Sequence, residues 1–349
     1  MVLQSSGQIS FEDFIDEFGD PGGEGFGGYR VSQTVGELDN LGLDNNTSNP
    51  PQSRLPQSGQ ISFSDMYGKK LNVVVDHHTS DSNRQNSRSK WNNQNIEVIG
   101  GFKSRSQAIS GGSGGKRVII HVNRIIGSSK GNRDNCAVRT GDGWEGNTEM
   151  SIDVGAEAEI LGAGGNGGRG SESSGNGEQG QDGTSGLGIE YGTDENKCMI
   201  NIKSGGIISA GFGGGGGGGG GFDSDKEAER HAGGGGGGGG QGWPAGSGGE
   251  PSRRGSDGTP GESGSKDEAG EGGEGGNNHN EAQGGEGGHG GESSENSESG
   301  EGGRGGEEES EGGSGGTNGS AIRRESSSIK IEIDNNGTIR GSTSETGVS

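Results

Sequence analysis

Proline, cysteine, aromatic side chains and long apolar runs are all scarce in this 349-residue chain. Seven prolines are too few for a collagen-like triple helix. Two cysteines, Cys136 and Cys198, build neither a disulfide framework nor a CxxC metal site. They either pair with each other or sit as small buried residues. No run of apolar residues is long enough to span a bilayer as a helix. The opening Met1-Val2-Leu3-Gln4 lacks the basic and apolar regions of a signal peptide, so the expectation is a soluble protein made in a cytoplasm. Apolar residues make up 21% and aromatics 4%, so any hydrophobic core must be local.

Catalytic groupings are missing as well. The segment Gly111-Gly112-Ser113-Gly114-Gly115-Lys116-Arg117 falls short of a phosphate loop, with too few residues between its glycines and no Ser or Thr after the lysine. Adjacent His77 and His78 are badly spaced to share one metal. The acidic region holds many carboxylates but no apolar pocket to raise a pKa. The sequence therefore predicts no enzyme, no catalytic residue, no metal and no cofactor.

Charge is abundant but one-sided, with a formal net charge of -23. That balance argues against a nucleic-acid partner, which would call for clustered cations. It is also uneven. Thirteen Lys or Arg face four Asp or Glu between Gly68 and Thr140, whereas 262–311 is strongly acidic. Such runs either keep the chain soluble or turn its two ends toward different partners.

Two repeats organise the rest. Ser6-Gly7-Gln8-Ile9-Ser10-Phe11-Glu12-Asp13 returns as Ser58-Gly59-Gln60-Ile61-Ser62-Phe63-Ser64-Asp65. Ser10 and Ser62 are N-cap candidates, with Asp13 and Asp65 placed to answer free amides. Phe11, Phe14, Ile15 and Phe18 keep helical spacing, as do Phe63, Met66 and Tyr67 more briefly. Helices this short need burial, either within the chain or on another subunit. The second repeat is of strands: Ile152-Asp153-Val154 is followed by Ile160, Ile200-Asn201-Ile202 by Ile208, and Ile331-Glu332-Ile333 by Ile339. The turns of the last two, Lys203-Ser204-Gly205-Gly206 and Asp334-Asn335-Asn336-Gly337, suit hairpins or solenoid corners, whereas the first unit has only Gly155 there. Further β-branched strands are expected at 71–75, 96–99 and 118–126.

The dominant residue is glycine, with 88 copies. Segments 213–221 and 233–240 are pure glycine, and later runs repeat Gly-Gly-x, as in Gly284-Gly285-Glu286-Gly287-Gly288-His289. Three residues is the period of the polyproline II helix, so a bundle of polyglycine II helices is expected, each run of eleven residues spanning roughly 34 Å at about 3.1 Å per residue. The competing reading is a flexible tether, since glycine loses the most backbone entropy on ordering. In a bundle, recognition falls to the turns at 222–232, 243–254, 277–283 and 293–299, whose contact-capable residues are Phe222, His231, Trp243, Arg253, Arg254 and His279.

The Ser-Gly-Gln-Ile-Ser-Phe-x-Asp element resembles the opening motif of glycine-rich virion structural proteins of tailed bacteriophages, cyanophages included. The polyglycine region resembles the tip adhesins of T-even-like long tail fibres, in which a polyglycine sandwich presents receptor-reading loops. The resemblance implies a phage tail adhesin that attaches to tail or baseplate proteins through Phe11, Phe14, Ile15, Phe18, Phe63, Met66 and Tyr67 and meets a host receptor with its loops. Acidic loops and the doubled N-terminal motif depart from that pattern and make a structural tail connector the alternative. The expected fold is mainly β with a polyglycine type II helix bundle and short N-terminal amphipathic helices. Its expected parts are an attachment segment (1–43), a linker (44–58), the second motif (59–76), a β-rich platform (77–210, with a glycine excursion at about 162–188), the bundle (211–319) and closing strands (320–349).

Overall fold

A computed structural model describes residues 7–13, 41–42, 60, 62–66, 72–77, 94–95, 117–142, 144, 148–172, 175–223, 230–252, 257–278, 282–293, 300–304 and 310–348. The described residues are mainly strand and extended chain, with almost no helix. A helical turn covers residues 11–13, and a 3-10 turn covers Phe63–Met66. Ser10 caps the first: its backbone amide donates to Asp13 Oδ2 (2.6 Å), and the Asp13 amide donates to Ser10 Oγ (3.2 Å). The first of these bonds also holds the Asp13 carboxyl below its ordinary value. Phe14, Ile15, Phe18 and Tyr67 lie outside the described residues, as do 96–99.

The strand repeat builds a three-faced parallel solenoid. The first sheet contains β1 (Leu41–Gly42), β2 (Asn72–His77), β4 (Arg117–Val122), β7 (Glu149–Val154), β10 (Cys198–Ile202) and β17 (Ile331–Asn335). The second contains β5 (Ile125–Gly127), β8 (Glu159–Leu161), β11 (Ile207–Ser209) and β18 (Thr338–Arg340). The third contains β3 (Gln94–Asn95), β6 (Cys136–Arg139), β9 (Ser185–Ile189) and β16 (Ile322–Arg324). Every pairing in these sheets is parallel except β1 with β2.

Like residues stack along the coils. Ile120, Ile152, Ile200 and Ile333 form one ladder; Ile126, Ile160, Ile208 and Ile339 form another; Val138, Leu187 and Ile322 line the third face. Apart from Ile333 and Ile339, half-covered on the last coil, these side chains are buried in one core. Each buried Ile contributes about 1.5–3 kcal/mol. The corner between the first and second faces is tight. Gly206 donates to Lys203 O (2.8 Å), and Gly205 takes a positive φ of 91° against the Ala156 carbonyl, where a Cβ would not fit.

At the corner between the second and third faces the chain leaves the solenoid twice. It departs after β8 and returns at β9, then departs after β11 and returns at β16. The runs 163–171 and 175–184 form the first excursion; 211–220, 233–242, 245–252, 257–265, 269–276, 284–292, 300–304 and 310–319 form the second. The runs pair with one another through the backbone in steps of three. Gly211, Gly214 and Gly217 donate to Thr184, Gln181 and Glu178 on one neighbour; Phe212, Gly215 and Gly218 donate to Gln241, Gly238 and Gly235 on a second; Gly216 and Gly219 donate to Gly300 and Gly303 on a third, at 2.8–3.1 Å. The carbonyls of the same run accept from three more neighbours, through Gly165, Gly288 and Gly316 among others.

Runs 211–220 and 233–242 are therefore surrounded on every side, which explains their composition. A Cβ on Gly214, Gly215 or Gly216 would run into the carbonyl oxygen of Asn166, Gly288 or Gly313, each on a different neighbour. Peripheral runs tolerate one side chain in three, as at 269–276 and 284–292, or two in three, as at 175–184 and 257–265. Glu271, Glu274, Glu286 and His289 are exposed, while Gly273, Gly276, Gly285 and Gly288 are buried.

Cys136 and Cys198 are free and buried, in different sheets. Burial pushes both thiols up from 9.0 to about 12.

Candidate functional site

Because each run crosses the bundle once, successive turns fall at opposite ends. The near-end turns meet the solenoid. Trp243 donates its backbone amide to Gly162 O (2.8 Å), and Gly164 donates to Pro244 O (2.9 Å). Lys266 Nζ pairs with Glu159 on β8 (3.1 Å), and Arg340 on β18 lies 3.7 Å from Asp267. Burial alone would lower the Lys266 amine, but its hydrogen bonds to Glu159 and Asp267 outweigh that and hold it above its ordinary value. Ser293, which opens the 293–299 segment, donates its amide to Gln241 Oε1 (2.7 Å) at this same end.

The far-end turns come together instead. Hairpin β12 (Gly221–Asp223) with β13 (Arg230–Ala232) packs against hairpin β14 (Asn277–Asn278) with β15 (Ala282–Gln283). Phe222 and His231 face each other across the first hairpin, ring centroids 5.0 Å apart and 28° from parallel. Asn278 Nδ2 donates to His231 O (3.4 Å). Gly220 donates its amide to Gly175 O (3.2 Å), and Ser310 Oγ donates to Gly220 O, which brings two further turns to the same end. Ser252 donates to Gly234 O (3.1 Å), so the chain into 253–256 also ends there.

The residues singled out in the sequence thus separate. Phe222 and His231 sit together at the far end, half-buried. Trp243 sits at the near end, against Gly127 of β5. Arg253, Arg254 and His279 lie outside the described residues, next in sequence to far-end anchors Ser252 and Asn278. The sequence reading missed Asn278, Ser310 and Gly175. It also missed that 245–252 is itself a run, which splits the expected 243–254 turn into a near-end turn and a far-end turn; counting run lengths would have shown this. At the N-terminus, Phe11 is 36% exposed and Phe63 is 44% exposed. The described residues contain no group of His, Cys, Asp or Glu arranged to hold a metal ion, and no helix long and apolar enough to cross a membrane.

The architecture is thus a parallel solenoid carrying a glycine frame, with one set of run ends against the solenoid and the other set at the far end. The family model for the phage tail fibre adhesin Gp38 matches residues 84–344, and the chain belongs to that family. It is a phage tail-fibre adhesin, a component of the virion's tail. Its structure is similar to the crystal structure of the gp37-gp38 adhesin tip complex of the bacteriophage S16 long tail fiber, with 19% sequence identity and a TM-score of 0.40 over 82% of this chain and 87% of that one. No curated protein matches the chain.

Proposed function

We propose that the adhesin reads a receptor on the host cell with the far-end turns, and that the runs carrying them are polyglycine II helices. One observation carries the reading: the described residues that flank the far-end turns, among them the two packed hairpins, Gly175, Ser252 and Ser310, gather at one end of a frame built largely from backbone hydrogen bonds. Donation to a new neighbour at each residue, returning after three, supports the helix type. With 213–221 and 233–240 free of side chains, the turns can vary with little repacking beneath them, Ala232 and Ala282 being the small buried residues at their base.

The Phe222 and His231 pair, steadied by Asn278, is the anchor of the proposed surface; Arg253 and Arg254 would add cationic groups to it and His279 an imidazole. The far-end segments 172–175, 222–231, 253–256, 278–282 and 305–309 hold nine Asp or Glu and four Lys or Arg. That balance favours a basic receptor face, and it makes association dependent on salt. Trp243 belongs to the near-end contact with the solenoid and not to this surface.

The attachment role falls to the two motif copies within residues 1–76, a stretch in which β1 and β2 also join the first sheet of the solenoid. The family match begins at residue 84, after both copies of the repeated motif, which supports a separate task for them. Phe11 and Phe63 occupy the same motif position, and both keep apolar surface at the exterior. With Phe14, Ile15, Phe18, Met66 and Tyr67 they form the proposed contact with another tail protein. Exchange of residues 223–230 for the corresponding turn of a relative with a different host should transfer host range while leaving the melting temperature unchanged. Unaltered adsorption specificity in such phages would overturn the far-end reading.

A further inference from the structure

We infer that the solenoid is the template of the glycine bundle and that its last coil, β17 with β18, is the clasp that holds the bundle ordered. The ladder between strands passes without a break into the ladder between runs. On the outgoing side, β8 pairs with β11 up to Leu161 and Ser209. Gly162, Gly165, Gly168 and Ser171 then donate to Ser209, Phe212, Gly215 and Gly218 at 2.8–2.9 Å, so strand neighbours stay neighbours to the far end. On the returning side, Gly177, Gly180, Gly183 and Gly186 donate to Glu311, Ser314, Thr317 and Ser320, and β9 then pairs with β16.

The solenoid therefore sets both the spacing and the axial phase of four runs, and the remaining runs hang on those. The runs themselves bring little burial of side chains. Among the described residues of 211–319, the buried apolar side chains are Phe212, Ala232 and Ala282, against twenty in the solenoid core, all but two of which precede the second excursion. A run of glycine has no sequence with which to choose its register, so a three-residue slip would satisfy the same hydrogen bonds. The solenoid supplies the missing choice. It does so only when the chain, after residue 319, comes back to place β16 on β9, β17 on β10 and β18 on β11. Two ion pairs reinforce the closure at the near end: Lys266 to Glu159, and Asp267 to Arg340 of the clasp itself.

The inference is directional, and its test is hydrogen exchange of the full-length chain in two variants. Ile333→Asp places a carboxylate in the ladder of the last coil, while Gly216→Val forces a branched side chain into the centre of the bundle. If the solenoid is the template, Ile333→Asp lowers the protection of amides 234–240 by about tenfold or more while amides 150–154 of the earlier coils keep theirs. Gly216→Val then strips the bundle but leaves amides 150–154 and 198–202 protected. Retained protection at 234–240 in Ile333→Asp would overturn the inference. So would loss of protection at 150–154 in Gly216→Val, which would make the two parts a single cooperative unit with no template.

Discussion

A methyl group is the unit of tolerance in the bundle. At Gly216 the space a Cβ would take is held by the Gly313 carbonyl, and no flexible side chain is there to yield. Gly216→Ala is therefore expected to destabilise the protein by about 1–3 kcal/mol, as other overpacked sites do. Glu274→Ala, at an exposed third position, is expected to stay within about 0.5 kcal/mol of the parent in the same denaturant titration. The two cysteines give a second prediction. Both thiols are favoured in their neutral form by the fold, from 9.0 up to about 12. A group raised in the folded state contributes stability below its unfolded value and loses it as pH climbs toward the folded one. Stability should hold to about pH 9 and fall between 9 and 12. At pH 8 a thiol reagent should label the protein only after denaturant is added, and rapid labelling of the native chain would contradict the burial of Cys136 and Cys198.

Strands and runs differ in how much of them the sequence carries. The first two strands of the last three coils were legible because Ile152-Asp153-Val154 with Ile160 recurs twice more, and burial on one face requires that alternation; the single strand expected at 118–126 is instead two, β4 and β5, on different faces, the chain turning at Asn123-Arg124. The third strands were not. Ser185-Gly186-Leu187-Gly188-Ile189 is buried throughout but reads as glycine linker, because a strand packed closely on both faces needs small residues where a pattern search looks for large ones. Period three was legible in the runs for the opposite reason: glycine is kept where a peripheral run faces a neighbour, so side chains recur in threes, one in three on 284–292 and two in three on 175–184. The side of the bundle on which each turn falls follows from the alternation of run direction and not from residue type, which is why Trp243 looked equivalent to Phe222. At this scale the ladders predict their own weak points. Ile152→Ala, buried between Ile120 and Ile200, should cost about 2–5 kcal/mol by thermal unfolding. Phe222→Ala, half-buried in a terminal hairpin, should leave the melting temperature within a few degrees and reduce adsorption instead.

Taken whole, the protein separates three tasks along its length: a proposed attachment segment, a solenoid held together by apolar ladders, and a frame held together mainly by backbone hydrogen bonds, with side-chain bonds such as Thr317 to Asp182 and Gly213 to Asn318 at its margins. The acidic balance of the far end should make adsorption weaken as salt screens it, over a Debye length of about 8 Å at physiological ionic strength. Phage binding to host cells, followed from low to moderate sodium chloride, is expected to slow by several-fold, while a rate independent of salt would point to an uncharged receptor face.

The chain enters and leaves the frame at the same corner of the solenoid, since β8 and β9 flank the first excursion and β11 and β16 the second. A single crossing would strand the chain at the wrong end. Crossings can be gained or lost in evolution only as couples, one outward and one homeward. Each couple adds one turn to the far end, so the proposed recognition surface grows by whole increments, with the supporting lattice extended sideways and never lengthened.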